Sequence, residues 1–206
     1  MRKTTTLAML STALLALAPA AMAQDVNSAD KTDVYLGVLG GLVSGTGTTT
    51  TPSGFQLIPQ PFNPTELGVV GGIRFNRNDW LFGAEADINA NLSNTFPPSG
   101  LATLAENDGS GHLRGLFGRQ MGPMSLFLAG GLAGTHIKYN NTNPGAGVDD
   151  KVMLGWTIGV GAEYAATEHI ALRFDAMHDE TSSAFSDGYN GKWVENTVRV
   201  GAIFKF

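Results

Sequence analysis

Thr197-Val198-Arg199-Val200-Gly201-Ala202-Ile203-Phe204-Lys205-Phe206 alternates apolar with polar or small residues up to the last position. In an extended chain Val198, Val200, Ala202, Phe204 and Phe206 share one face. Thr197, Arg199, Gly201 and Lys205 share the other, and only Ile203 breaks the pattern. Such a strand suits a barrel wall with lipid on one side and a polar interior on the other. A half-buried strand of a soluble sandwich alternates in the same way, so the remainder of the chain has to separate the two.

The opposite end bears on the compartment. Arg2 and Lys3 form a positive segment, Leu7 to Leu17 an apolar one, and Ala21-Met22-Ala23 a small-residue cleavage site. Residues 1–23 are therefore expected to be a signal peptide, with a mature chain starting at Gln24 and a single barrel domain over residues 24–206. No later stretch approaches the ~20 consecutive apolar residues that a spanning helix requires. Membrane insertion, if it occurs, has to use strands.

Composition narrows the chemistry. Without Arg2 and Lys3 the chain keeps 11 basic and 18 acidic residues, a formal charge of −7, which excludes a nucleic-acid partner. The sequence has no Cys, which removes disulfides, thiol nucleophiles and zinc–cysteine sites together. Its 27 Gly suit an interior where many positions must be small.

Eight alternating segments follow a polar lead-in: Thr32 to Ser44, Glu66 to Phe75, Asp79 to Leu92, His112 to Met121, Met124 to Tyr139, Lys151 to Ala165, Ile170 to Asp179 and Val194 to Phe206. Most reach the ~9–11 residues of a tilted membrane-spanning strand. Short links at Asn76-Arg77-Asn78, Gly122-Pro123 and Ala166 to His169 alternate with long ones at Gly45 to Thr65, Ser93 to Gly111, Asn140 to Asp150 and Thr181 to Trp193. Short periplasmic turns and long external loops are the asymmetry of an outer-membrane barrel, and the fold class predicted is an all-β, eight-stranded antiparallel up-and-down transmembrane barrel. The Gly/Thr stretch Gly45 to Thr51 is expected to lack regular structure.

Phe75, Trp80, Tyr164 and Phe206 fall at the turn ends of their strands and predict a periplasmic aromatic girdle. In the fifth segment Phe127 and Ile137 sit opposite Leu126, Leu128 and Leu132, which predicts a bulge there.

Alternation also sorts the charges. Arg74, Glu85, Asp87, Arg114, Glu163, Arg173, Asp175, Arg199 and Lys205 all fall on inward faces. An eight-stranded barrel is just wide enough for side chains to fill, so these groups have to pair, as a plug of salt bridges or as the lining of a narrow pore. Glu85 and Asp87 share a face as acid/base partners would, but neighbouring Arg residues hold both ionised. The Gly-rich runs Gly37 to Gly41 and Gly159-Val160-Gly161 lie within strands and open no helix, unlike phosphate loops. His112, His136, His169 and His178 show no metal-ligand spacing, and no cofactor is expected. The barrel lipid A deacylases place a Ser two residues after a catalytic His, whereas here His178 is followed by Asp179 and Glu180 and Ser182 comes too late. Phe55, Leu57, Ile58 and Phe62 make an apolar patch in the first long loop, which either engages a surface partner or caps the barrel mouth.

The segments Gly83-Ala84-Glu85-Ala86-Asp87-Ile88, Leu154-Gly155-Trp156-Thr157-Ile158-Gly159-Val160-Gly161-Ala162-Glu163-Tyr164 and Leu172-Arg173-Phe174-Asp175, with the terminal strand, resemble the alphaproteobacterial Omp25/Omp31 outer-membrane proteins, related to the barrel of OmpA. Asp175-Ala176 departs from the acidic–aromatic pair frequent there. The resemblance implies a structural, surface-exposed envelope protein that is not an enzyme. A low-conductance porin and a loop-mediated adhesin or haem binder are the alternatives. Expected partners are outer-membrane lipid and lipopolysaccharide, and the barrel-assembly machinery through the strand ending at Phe206; the expected state is a monomer.

Overall fold

The structure, a computed structural model, describes residues 30–57, 59–92, 103–141, 148–185 and 188–206. The expected signal peptide, the start at Gln24 and Ile58 lie outside the described residues. Among them run β1 (Asp30–Thr50), β2 (Gln60–Phe62), β3 (Thr65–Arg77), β4 (Trp80–Asn91), β5 (Thr103–Met121), β6 (Met124–Asn141), β7 (Val148–Ala165), β8 (Ile170–Ala184) and β9 (Asn190–Lys205). Each long strand pairs antiparallel with its sequence neighbour, and β1 pairs with β9 from Tyr35↔Lys205 to Thr50↔Asn190. The wall is therefore a closed, eight-stranded antiparallel barrel, as the alternation predicts.

The additional element β2 is the upper part of an interrupted wall strand. It faces β1 at Gly45↔Phe62 to Gly47↔Gln60, directly beyond the β1–β3 ladder. Pro61 and Pro64 lack ladder donors, and the Val43 amide bridges the interruption by donating to the Pro64 carbonyl at 3.0 Å.

Several strands extend beyond their expected ends. The Gly/Thr stretch expected to be irregular is the upper half of β1, held by its ladder to β9. Extended Thr is favourable, and the absent Cβ atoms admit aromatic rings: a Cβ on Gly45 would lie 2.2 Å from the Phe62 ring, and one on Gly47 3.0 Å from Trp193. The loops expected at Ser93 to Gly111, Asn140 to Asp150 and Thr181 to Trp193 likewise yield residues to β5, β6, β7, β8 and β9. At the other end the first turn is Asn78-Asp79, one step later than expected, between the paired Arg77 and Trp80. Both residues have positive φ, 47° and 67°, the mirror-image turn that matches hairpin twist.

The bulge expected in β6 is absent: β6 pairs with β7 in unbroken register from Met124↔Tyr164 to Asn140↔Val148. Phe127 and Ile137 simply face inward as buried apolar residues. The register shift lies instead in β5, between Asn107 and Gly109.

The outer wall carries Leu, Val, Ile and aromatic side chains in contact with the surroundings, as lipid requires. The interior is layered. Leu81, Leu116, Phe127 and Ala129 form one apolar cluster near the turn end, and Tyr35, Leu39, Val70, Ala171 and Ile203 form another. Val43, Phe62, Ile137, Met153, Phe185 and Trp193 cluster at the loop end. Charged side chains occupy the space between.

Candidate functional site

Period-two alternation aims one residue in two into the barrel, and curvature brings facing strands within side-chain reach. Arg74 of β3 thus meets Glu163 of β7 through two contacts of 2.7 Å, a bidentate pair. Lys205 lies at the margin of this pair, with Nζ 4.0 Å from Glu163.

Arg173 of β8 joins the levels. Its guanidinium donates to both Glu85 oxygens at 2.8 and 2.9 Å and to Asp175 at 2.9 Å, and lies 3.7 Å from Glu163. The Tyr35 hydroxyl donates to Glu85 at 2.7 Å. Arg114 of β5 pairs with Glu85, approaches Asp87 at 3.2 Å and Asp175 at 3.6 Å, and donates to the Met177 sulfur at 2.9 Å. Arg199 of β9 donates to Asp87 at 3.1 Å, Asn89 at 3.2 Å and Asp175 at 3.1 Å. Eight of the nine charged residues singled out from sequence are at most 2% exposed, and only Lys205 is half-buried.

The rings of Tyr35 and Phe127 complete this level. The Arg74 guanidinium lies 4.8 Å from the Tyr35 ring centre, and that of Arg173 4.8 Å from the Phe127 ring centre. Planar guanidinium groups tolerate such faces better than ammonium does, because they are more weakly hydrated. A shell of arginines against aromatics and carboxylates therefore fills this narrow lumen compactly.

Sequence reasoning left several members out. His112 shares the inward face of Arg114 and sits between Asp87 at 2.7 Å and Asp179 at 3.4 Å. Asn107 donates to Glu195 at 2.8 Å. Glu66, Asp179 and Glu195 are all buried toward the loop end, where Glu66 Oε1, Asp179 Oδ1 and the Trp193 indole have no hydrogen-bond partner among the described residues. Face parity already sets Asp179 inward with Arg173 and Asp175, although the ionic network read from sequence omits it, and the same parity could have found His112. Glu66 and Glu195 lay too near expected strand ends to be assigned.

The apolar loop patch divides. Phe62 is buried among the loop-end cluster, Leu57 is half-buried, and Phe55 stands exposed at the hairpin tip. His178 accepts or donates at 2.9 Å with Asn196 and packs against Trp156 on the outer wall, so neither it nor Ser182 faces the charged interior. His136, also on the outer wall, pairs with Asp150 at 2.7 Å.

Comparison with known proteins gives the same architecture. The model of the outer membrane protein beta-barrel domain family matches residues 10–206. The 25 kDa outer-membrane immunogenic protein of Brucella canis is 30% identical over 146 residues, covering 68% of this chain and 65% of that protein. The chain thus matches just under two thirds of that relative's length. The 31 kDa outer-membrane immunogenic protein of Brucella melitensis is 28% identical over 164 residues, 69% of this chain and 68% of that one. The crystal structure of the outer membrane protein OprG from Pseudomonas aeruginosa shares the fold, with TM-score 0.56 at 12% identity over 88% of this chain and 99% of that one.

Proposed function

The chain belongs to the outer membrane protein beta-barrel domain family, is homologous to the Brucella 25 and 31 kDa proteins and resides in the outer membrane; on that premise we propose that it is a structural envelope protein whose barrel is sealed. The observation that carries this reading is the bidentate Arg74–Glu163 pair across the lumen, continued through Arg173, Glu85, Arg114, Asp175 and Arg199. A hydrated ion crossing that level would have to break several buried charge pairs at once, and breaking even one leaves a stranded charge. The role is non-catalytic: Glu85, Asp87, Glu163 and Asp175 are held by guanidinium groups, and His178 and Ser182 are on the outer wall.

A narrow cation path is the second reading. It is favoured by the loop-end carboxylates Glu66 and Asp179, each with an oxygen that no donor among the described residues meets. Planar-bilayer recording of the refolded protein separates the two. A sealed barrel gives no unitary current steps, whereas reproducible steps with cation selectivity would overturn it in favour of the path.

A further inference from the structure

The outer wall is not evenly covered. A groove of about 510 Å³ runs along it across β4 to β8, walled by Trp80 and Phe117 on one side and Phe174 on the other. Trp80 and Phe117 stack with ring centres 5.3 Å apart. The groove follows one row of cross-strand partners, Trp80, Arg119, Leu126, Ala162 and Phe174, and it deepens where Ala162 is too short to fill the row.

Charge is confined to one end. Arg119 adjoins the Gly122-Pro123 turn, and its guanidinium carbon lies 5.8 Å from the Trp80 ring centre. Among the described residues no carboxylate lies within ion-pair distance of Arg119, in contrast to the four interior arginines. Arg77 is the other cross-strand neighbour of Trp80 and marks the same level. Because strands tilt in the wall, the row climbs from this turn end toward the hydrocarbon centre. The groove therefore has an apolar length and a cationic foot at the periplasmic interface, where lipid headgroups lie.

We propose that this groove is a binding site for an anionic diacyl phospholipid of the periplasmic leaflet, its phosphate on Arg119 and one acyl chain along Leu126, Ala162 and Phe174. The volume falls in the ~300–1,000 Å³ range of small-molecule sites, and a lining that is almost wholly apolar except at one cationic end matches an amphiphile. This inference rests on outer-membrane residence and is independent of whether the lumen conducts.

Trp80 is a built-in reporter. With Trp156→Phe and Trp193→Phe it is the sole tryptophan, and brominated acyl chains quench only an indole that they touch. The protein is refolded into phosphatidylcholine vesicles with a minor fraction of phosphatidylglycerol, bromine being placed on one lipid or on the other. Association beside Trp80 should favour phosphatidylglycerol by roughly fivefold, the factor for one interfacial basic residue. Arg119→Gln should bring that ratio close to one, and Ala162→Leu, which fills the groove, should lower it as well. Retention of phosphatidylglycerol over phosphatidylcholine by the unsubstituted protein in native mass spectrometry tests the same point without tryptophan changes. Equal quenching by the two lipids in the parent, or a preference that survives both substitutions, would overturn the proposal. So would a Trp80 signal that follows protein density instead of lipid type, because the face would then be covered by a second copy.

Discussion

Arg74 and Glu163 stand 89 residues apart in the chain and face each other across the barrel with two contacts of 2.7 Å, both side chains about 1% exposed. Both are buried, so loss of Arg74 leaves Glu163 only the longer approaches of Arg173 at 3.7 Å and Lys205 at 4.0 Å. Arg74→Ala should cost about 3–5 kcal/mol of folding stability. The double variant Arg74→Ala/Glu163→Ala should recover part of that loss, because no unmatched carboxylate remains. Urea titration in lipid vesicles reads both, and a double variant no more stable than Arg74→Ala would contradict the pairing.

Arg199 and Val200 are chain neighbours with opposite surroundings: Arg199 holds Asp87 and Asp175 inside, while Val200 faces outward. Arg199→Ala removes one of the cations that hold Asp87 and Asp175 and leaves them to His112, Arg114 and Arg173, whereas Val200→Arg places a charge in lipid at about 2–4 kcal/mol near the midplane. At acidic pH protons can neutralise the two carboxylates, so the Arg199→Ala defect should shrink as pH falls. An introduced arginine has no such route at any accessible pH, and the Val200→Arg defect should persist. Identical pH responses of the two variants would count against the interior assignment.

Glycine is required at Gly45, where a Cβ would lie 2.2 Å from the Phe62 ring. Gly45→Val should expel that ring from the loop-end cluster at a cost of about 1–3 kcal/mol, as overpacking typically does. Limited proteolysis near Phe62 should become faster. Gly40→Val on the same strand meets nothing nearer than 3.9 Å and should leave the protease pattern unchanged. Equal effects of the two would indicate that the Phe62 contact is immaterial.

Closure through β1 and β9 leaves the wall with no free edge over its central ladder. The unheated protein should therefore resist SDS and migrate differently from the boiled form. Deleting the β9 ladder partners 197–206 should abolish that difference. Matching mobilities of heated and unheated wild type would be incompatible with a closed barrel.

What the sequence determines by itself is parity. Side-chain direction in a strand has a period of two, a local property, so Arg199 inward and Val200 outward could be read from one segment. The short turns and the count of eight wall strands follow from the same local pattern. Strand length proved less legible: Gly45 to Thr50 shows little hydrophobic alternation, and only its ladder to β9 and the rings of Phe62 and Trp193 hold it extended. Phe127 suggested an irregular strand because an apolar residue on a polar face breaks the pattern; in the closed barrel it packs between Leu81, Leu116 and the Arg173 guanidinium. Nor could any single strand reveal that Arg74 takes Glu163 while Arg173 takes Glu85. Which charges meet depends on tilt and on register summed around the closed wall, and a one-residue slip anywhere would turn a strand's inward charges toward lipid. The sequence thus determines which charges enter the interior, and the tertiary structure alone decides their partners.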